Sequence, residues 1–300
     1  MIEIGRGGPY LALLLAAASW SCGQAGPDED VLKRYPDGSK QEVARYVSAG
    51  GERHLVAKIG YSQSGDVTFE ERYAERKTVS YQSWWPNRNL KVDRTYAAGQ
   101  MVAEVSYDRD GVQYINGEEV QAIIADLADY PGEPAAASDT VVMETSAGTI
   151  TLRLFTDVAP GHSNNFKRLA NAGFYDSTTF HRVVPNFVIQ GGDILSRDAQ
   201  RANDGQGSPG FTVPAEFNPR IHARGTLAMA RSNDPNSAGS QFYIALSRLT
   251  QLDNRYTVFG EVISGLEAVD AIAAAARDSK DNPIDPQRIY RVRVGSQPSP

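Results

Sequence analysis

The chain contains a single cysteine among 300 residues. One cysteine cannot form an intramolecular disulfide and cannot supply a cysteine-rich structural metal site. Histidine is also scarce, and its few positions lack the short spacing of a zinc site. The histidines are His54, His162, His181 and His222. We therefore expect neither a metal ion nor a cofactor.

The sequence also lacks an excess of basic residues. It has 30 Lys and Arg against 36 Asp and Glu, a net charge of −6, and no basic cluster, which argues against nucleic-acid binding. Gly205-x-Gly207-x-x-Gly210 spells a dinucleotide fingerprint, but it contains Pro209 and does not join a strand to a helix. Ser240 lies outside a G-x-S-x-G elbow, so hydrolytic chemistry is unsupported.

The N-terminus carries one apolar run, Tyr10 to Ala18, which follows Arg6. This run is too short to span a bilayer as a mature helix, and it predicts an export signal over residues 1–22. Cys22 falls where such a signal would be cleaved, and the pattern resembles a bacterial lipobox, in which the cysteine is lipidated. The alternative is an ordinary cleaved signal with an incidental cysteine.

Both interpretations predict an exported protein. We expect a periplasmic lipoprotein that is anchored to the membrane through Cys22, with residues 23–30 as a polar tether.

Residues 31–117 contain a loose internal repeat. Four turn-like segments recur at spacings of 26, 24 and 22 residues, and an aromatic residue opens each one. They are Tyr35 to Gly38, Tyr61 to Gly65, Trp85 to Asn89 and Tyr107 to Gly111. Such a pattern predicts stacked β-hairpins and resembles the aromatic-glycine hairpin repeats of the MORN type. The aromatic residues either present a docking surface to an unknown protein partner or fill a thin β core.

Residues 118–138 predict a short helix and a linker. Val120, Ile123, Ile124 and Leu127 recur at helical spacing, and the small residues of 132–138 mark a domain boundary.

Residues 139–296 alternate between strand-like segments and turns and contain only two helical segments. This organisation predicts an antiparallel β-barrel or sandwich rather than a parallel α/β fold. The first helix is predicted over 160–172, with Pro160 in its first turn. Ser264-x-x-Glu267 predicts a capping box that opens the second.

The stretch from Phe180 to Asp193 places two polar side chains, Arg182 and Gln190, among apolar strand residues. Such groups must find partners or meet a ligand. The stretch reads as two short strands around a turn at Pro185-Asn186. A strict two-residue turn would pair Arg182 with Ile189 and turn Gln190 to the other face, so an irregular or wider turn is needed to bring both polar groups together.

Three blocks of sequence resemble the cyclophilins, the peptidyl-prolyl cis/trans isomerases (rotamases). They are Asn165 to Asp193, Gly225 to Ile244 and Leu252 to Asp270. The resemblance implies a mainly β fold: a closed eight-stranded antiparallel barrel with two capping helices and a proline-binding groove on its outer face. In this chain, the small β-hairpin repeat domain precedes that barrel.

The resemblance also implies roles for individual residues. Arg182 would be the catalytic donor to the proline nitrogen. The substrate-binding positions would be Phe187, Val188, Gln190, Ala230, Arg231, Gln241, Tyr243, Leu252 and Tyr256. Gln251 stands where many cyclophilins carry a tryptophan that contacts cyclosporin, and Tyr256 replaces a pocket histidine, so we expect weak inhibition by this drug.

The function these patterns favour is isomerisation of proline-containing polypeptides to assist the folding of exported proteins. The alternative is a non-catalytic proline-binding module, or a chaperone or scaffold docked through the N-terminal repeats. An arginine donor discriminates between them, because a pure binder has no need of a cation at the twisting nitrogen.

Overall fold

The computed structural model describes residues 28–130 and 132–296. The predicted signal, Cys22 and most of the tether lie outside the described residues. The chain divides between Gly111 and Val112 into two compact units, each described by itself below. The predicted domain boundaries stay predictions. None of the helices in the described part of the chain is long and apolar enough to cross a membrane.

The first unit is one antiparallel sheet of seven strands, in which each strand pairs with its neighbour in the chain. The strands are β1 (Asp28–Arg34), β2 (Lys40–Ala49), β3 (Glu52–Tyr61), β4 (Val67–Ala74), β5 (Lys77–Trp84), β6 (Leu90–Ala97) and β7 (Gln100–Ser106). All four turn-like segments of the sequence form turns. The buried apolar cluster of this unit is small: Val43, Ala57 and Ile59 pack together, and Val31 and Tyr61 pack against them.

Aromatic side chains cover part of this sheet. The ring of Phe69 occupies the space above Gly60, where an added Cβ would lie 2.2 Å from a ring carbon. Phe69 also stacks on Tyr81, with 6.1 Å between ring centroids. These two rings therefore pack on the sheet itself, which fits a structural role for them. Whether the unit belongs to the MORN type stays a prediction.

The second unit is an eight-stranded antiparallel sheet with three helices. The helices are α1 (Gly117–Asp129), α2 (Pro160–Asn171) and α3 (Leu266–Ala273). The strands are β8 (Asp139–Thr145), β9 (Gly148–Leu154), β10 (Arg182–Val184), β11 (Val188–Gly191), β12 (Thr226–Met229), β13 (Phe242–Ala245), β14 (Val258–Ser264) and β15 (Ile289–Ser296). Their order in the sheet is β10-β11-β13-β12-β14-β9-β8-β15.

This sheet curls until its two ends meet. The segments that precede the end strands β10 and β15 form an isolated antiparallel bridge between Thr179 and Arg288. Beside it, the Phe180 N–H donates to Gln287 O at 2.8 Å and the Ile289 N–H donates to Thr178 O at 2.8 Å. The predicted fold class, a mainly β chain with an antiparallel barrel, is confirmed.

Aromatic side chains fill the barrel. Phe166 of α2, Phe242 and Phe259 are all fully buried. The ring of Phe166 lies 5.5 Å from that of Phe242 and 5.5 Å from that of Phe259. Helix α2 is therefore fixed to the barrel by its apolar face, as the spacing predicts.

Two of the helices begin differently from one another. Asn116 caps α1, and its side chain and that of Glu119 form a reciprocal capping box. The capping box predicted at Ser264 is wrong, because Ser264 ends β14 and Gly265 is the N-cap of α3, with φ 88° and no side-chain cap bond. A Cβ at Gly265 would lie 2.2 Å from Thr149 O, so this close approach requires glycine.

Candidate active site on the outer face of the barrel

The hairpin β10–β11 carries the two polar side chains that the sequence singles out. Its turn has three residues, so Arg182 pairs with Gln190 and Val184 pairs with Val188. Asn186 has φ 59°, and the Phe187 N–H donates to Val184 O at 3.0 Å. A proline followed by a residue with positive φ is typical of a type II turn. The prediction that this turn must be irregular or wider than two residues is confirmed, and the wider form is the one present.

A single row of paired residues crosses five strands on the outer face of the barrel. The row runs from Arg182 through Gln190, Tyr243 and Ala228 to Val258. Directly opposed residues share a face of a sheet, and alternate residues point to the other face. Val183 and Ile189, the neighbours of this row, accordingly belong to the barrel core.

Apolar side chains around this row form one cluster, which we call the outer slot. Six predicted binding residues meet in it: Phe187, Val188, Ala230, Tyr243, Leu252 and Tyr256. Residues that the sequence analysis missed complete it: Phe155, Val158, Ala228, Ala245, Leu249 and Val258. The alternation of the predicted strands β12 and β13 was a usable signal for Ala228 and Ala245, whereas no signal pointed to Phe155.

Polar side chains form a chain of contacts along one side of the outer slot. Arg182 Nη1 lies 3.5 Å from Gln190 Oε1, and Gln190 Nε2 donates to Gln241 Oε1 at 3.0 Å. Gln241 Nε2 in turn donates to Gly205 O at 2.9 Å and to Gly207 O at 3.0 Å. The structure thus brings together Arg182 and both predicted glutamines. The guanidinium of Arg182 remains accessible, since its side chain is 41% exposed.

Arg231 and Tyr256 form another part of the site, where the Tyr256 ring packs against the outer slot. The guanidinium carbon of Arg231 lies 4.5 Å from the centroid of the Tyr256 ring. Arg231 Nη2 donates to Arg255 O at 2.8 Å, and Nη1 donates to Ser232 O at 2.8 Å. The side chain of Arg231 therefore joins two loops and holds the Tyr256 ring against the slot.

A buried polar chain lies behind Tyr243, and the sequence analysis missed it. The Tyr243 hydroxyl is 2.9 Å from His222 Nε2, and His222 Nδ1 is 3.1 Å from Asp253 Oδ1. Arg248 donates to the Asp253 carboxylate and lowers its pKa, so the carboxylate is ionised and only accepts. His222 Nδ1 therefore carries the proton, and the Tyr243 hydroxyl donates to Nε2.

Burial acts on the pKa of both partners. It lowers the pKa of His222, which keeps the imidazole neutral, and it raises the pKa of Tyr243 well above its ordinary value. These hydrogen bonds from Asp253 through His222 to Tyr243 fix the position of the Tyr243 ring in the outer slot, and they place no charge in the slot.

A cavity of about 570 Å³ adjoins the outer slot. It shares Gln190, Ala230, Arg231 and Gln241 with the predicted site, and the segment 205–212 forms another wall. The fully buried Asp193 holds this segment, because its carboxylate accepts the N–H groups of Leu195 and Gly205. Within residues 28–130 and 132–296, no group of three or more His, Cys, Asp or Glu side chains is placed to hold a metal ion.

Comparison with known proteins defines the class of this protein. A family model described as cyclophilin type peptidyl-prolyl cis-trans isomerase/CLD matches residues 140–294, which is more than half of the 300-residue chain. The protein is thus a peptidyl-prolyl cis-trans isomerase. The chain belongs to the cyclophilin-type family of these enzymes.

Two relatives, one bacterial and one fungal, agree with this assignment. A probable peptidyl-prolyl cis-trans isomerase of Brucella suis is 36% identical over 170 residues, which cover 54% of this chain and 87% of that protein. A peptidyl-prolyl cis-trans isomerase of Schizosaccharomyces pombe is 39% identical over 158 residues, which cover 50% of this chain and 96% of that protein. The crystal structure of a Cryptosporidium parvum cyclophilin-type isomerase is 32% identical, covers 53% of this chain and 99% of its own, and has a TM-score of 0.49.

Proposed function

We propose that the enzyme assists the folding of exported proteins and that it binds the twisted X-Pro amide in the outer slot, with Arg182 as donor to the proline nitrogen. The observation that carries the proposal is the row from Arg182 through Gln190 to Tyr243, which sets a cation beside an apolar surface on one face of the barrel.

The chemistry requires these two features together. Rotation about an X-Pro bond has a barrier of about 18–20 kcal/mol, because amide resonance must be broken. No bond is made or cleaved, so the enzyme must bind the twisted amide more tightly than either planar isomer. As the amide twists, the proline nitrogen regains its lone pair, and a fixed donor aimed at that nitrogen favours the twisted state. The apolar side chains of the slot hold the ring while the rest of the amide turns.

Arg182 suits the role of this donor. Its guanidinium stays charged at any physiological pH and is planar, so it can donate to the nitrogen from one defined direction. Gln190 accepts from one side of the group, and Asp281 Oδ2 lies 4.0 Å from Nε on another. These contacts orient the guanidinium before substrate arrives. Gln190 and Gln241 also present amide groups to a peptide backbone along the slot.

A protease-coupled proline-isomerisation assay with Arg182→Ala tests the proposed role. Loss of one aimed donor is expected to lower kcat/KM by about 100-fold to 1,000-fold. Arg182→Lys should recover only part of that loss, since an ammonium lacks the planar geometry. Arg224→Ala is the matched control, because Arg224 forms an exposed pair with Asp270. Equal rates for the wild type and Arg182→Ala would contradict the role of Arg182.

The cellular role rests on the N-terminal sequence. We propose that the chain is exported and that lipidation of Cys22 anchors it to the periplasmic face of a membrane. Expression in a bacterial host with labelled palmitate, followed by membrane fractionation, tests this. Wild type should carry the label and sediment with membranes, whereas Cys22→Ala should do neither. An unlabelled, cleaved wild type in the periplasmic fraction would support export alone, and an uncleaved cytoplasmic chain would contradict both.

A further inference from the structure

The segment that precedes the matched domain packs as part of the barrel unit. We call it the α1 segment, residues 112–130 and 132–139. Val120 and Leu127 of α1 are almost completely buried in the same apolar core as the barrel strands. Ile115, Ile123, Ile124 and Ala135 pack against this core as well. The amphipathic face of α1 is therefore covered by the barrel unit.

Two side chains of α2 hold the end of this segment. Arg168 Nε donates to Tyr130 O at 3.2 Å, and its Nη2 donates to Leu127 O. A cation at these last carbonyls also complements the negative end of the α1 dipole. Lys167 Nζ donates to Pro134 O at 3.0 Å and to Asp139 Oδ2 at 2.9 Å. The α1 segment is thus attached to helix α2 of the barrel unit by charged hydrogen bonds as well as by apolar contacts.

Helix α1 also lies directly behind one wall of the cavity beside the outer slot. Gly210 lines the cavity, and a Cβ added to it would lie 3.0 Å from Ile124 Cγ2. Phe211 lines the cavity as well, and the guanidinium carbon of Arg168 lies 5.4 Å from its ring centroid. The α1 segment therefore contacts this wall directly through Ile124, and Arg168 of α2 connects the wall to the last carbonyls of α1.

The same wall is fixed on its other side by the main body of the domain. The Val213 N–H donates to Ala238 O at 2.7 Å, and the Ala215 N–H donates to Asn236 Oδ1 at 3.0 Å. Residues 208–213 are consequently held between the α1 segment and the 236–239 loop. Loss of either support would let the cavity change its width.

The cavity is continuous with the residues that would hold the peptide. Gln190, Ala230, Arg231 and Gln241 line it, and Ala230 also packs against the outer slot. A peptide whose proline occupies the slot would place a flanking side chain in this cavity. A pocket of about 570 Å³ has room for a large side chain.

We infer that the α1 segment is a specificity-determining part of the isomerase: by holding residues 208–213 it sets the width of the flanking pocket, and so which side chains near proline are accepted. The inference rests on the proposed use of the outer slot. Ile124 acts here as a positioning residue, because it contacts the wall of the pocket and not the peptide.

The test compares Ile124→Ala with Gln121→Ala in the full chain. Gln121 is exposed on the same helix and serves as the matched control, and Ile124→Val is the conservative variant. Each protein is assayed on two sets of short peptides. In the first set, Gly, Leu or Phe precedes the X-Pro pair, and in the second set, the same residues follow it. Hydrogen exchange of the amides in 208–213 is measured in parallel.

The expected result is a change in KM whose size depends on the residue that flanks the X-Pro pair. Ile124→Ala should alter KM for the Phe or Leu peptides of one set by about threefold to tenfold, with kcat and the Gly peptides nearly unchanged. The amides of 208–213 should exchange faster. Ile124→Val and Gln121→Ala should behave like wild type.

Two results would overturn the inference. A loss of kcat/KM that is equal for all peptides would mean that α1 only stabilises the fold. Unchanged kinetics together with unchanged hydrogen exchange would mean that the wall of the cavity does not depend on α1. If Arg182→Ala retained full activity while Ile124→Ala showed the flank-dependent change, the proposed role of Arg182 would fail and this inference would stand.

Discussion

Gln190 Oε1 lies 3.5 Å from Arg182 Nη1, across the first pair of the β10–β11 hairpin. The other end of the same amide donates to Gln241, which in turn donates to the carbonyls of Gly205 and Gly207. The orientation of the arginine is therefore linked, through two glutamines, to a backbone segment that a buried carboxylate holds in place. Each of these contacts can be removed separately.

Gln190→Leu should lower kcat/KM by about tenfold, because Arg182 loses its acceptor while the apolar slot stays intact. If Gln190 acts mainly by orienting Arg182, the double variant with Arg182→Ala should be no slower than Arg182→Ala alone. Gln121→Leu on the exposed face of α1 is the control. Additive losses in the coupled assay would show instead that Gln190 acts on the peptide independently.

A second prediction concerns Asn186, in the turn that lets Arg182 pair with Gln190. Asn186 has φ 59°, a conformation that glycine adopts freely and a β-branched residue adopts only with strain. Asn186→Gly should leave stability nearly unchanged, whereas Asn186→Val should lower the free energy of unfolding by about 1–2 kcal/mol. Urea unfolding measures both. Asn233→Val is the control, since Asn233 is exposed and has no positive φ.

The Tyr243 hydroxyl is expected to serve the fold more than the reaction. Tyr243→Phe leaves His222 Nε2 buried without its donor, so the free energy of unfolding should fall by about 1–3 kcal/mol. The ring still lines the slot, and kcat/KM should stay within about threefold of wild type. Tyr256→Phe should change neither quantity. A large loss of activity with unchanged stability would assign the hydroxyl to the substrate instead.

Cyclosporin should inhibit this enzyme weakly. Gln251 lies exposed in the short 3₁₀ helix Thr250–Leu252, and a glutamine there offers no indole to the drug. Gln251→Trp should strengthen inhibition by about tenfold, since additional apolar contact of about 1.4 kcal/mol corresponds to that factor. Titration of the drug in the isomerisation assay measures both proteins, and tight inhibition of the wild type would contradict the prediction.

The parts of this molecule that follow from local pattern could be predicted. The strands that carry Arg182, Gln190 and Tyr243 are short runs rich in β-branched and aromatic residues, and pairing rules alone required an irregular or wider turn at Pro185-Asn186. The start of α3 was missed because Ser264 and Glu267 have cap spacing, while the tight approach of Gly265 to another strand is invisible in local sequence.

Contacts between distant residues could not be predicted in this way. His222 is 21 residues from Tyr243 and 31 from Asp253, so no spacing rule connects them. The apolar face of α1 predicts a helix with a partner, but the sequence does not say that the partner is the wall of a pocket. Both relationships depend on how the barrel closes.

The last prediction concerns acid. His181 is only 5% exposed, and burial, with Arg182 adjacent, lowers its pKa to about 4. The unfolded chain binds the proton from about pH 6.5 downward, so the stabilisation due to neutral His181 is complete above that pH and is lost as the pH falls toward 4. Burial raises the pKa of Asp204 to about 6. The contribution of this carboxyl to the free energy of unfolding therefore increases as the pH falls, opposite to that of His181.

Comparison with His181→Gln, which retains Asp204, isolates the contribution of the histidine. Between pH 7.5 and 4.5 the wild type should lose about 2 kcal/mol more unfolding free energy than His181→Gln in urea titrations. Parallel losses in the two proteins would show that His181 takes up its proton at the same pH in the folded and in the unfolded chain.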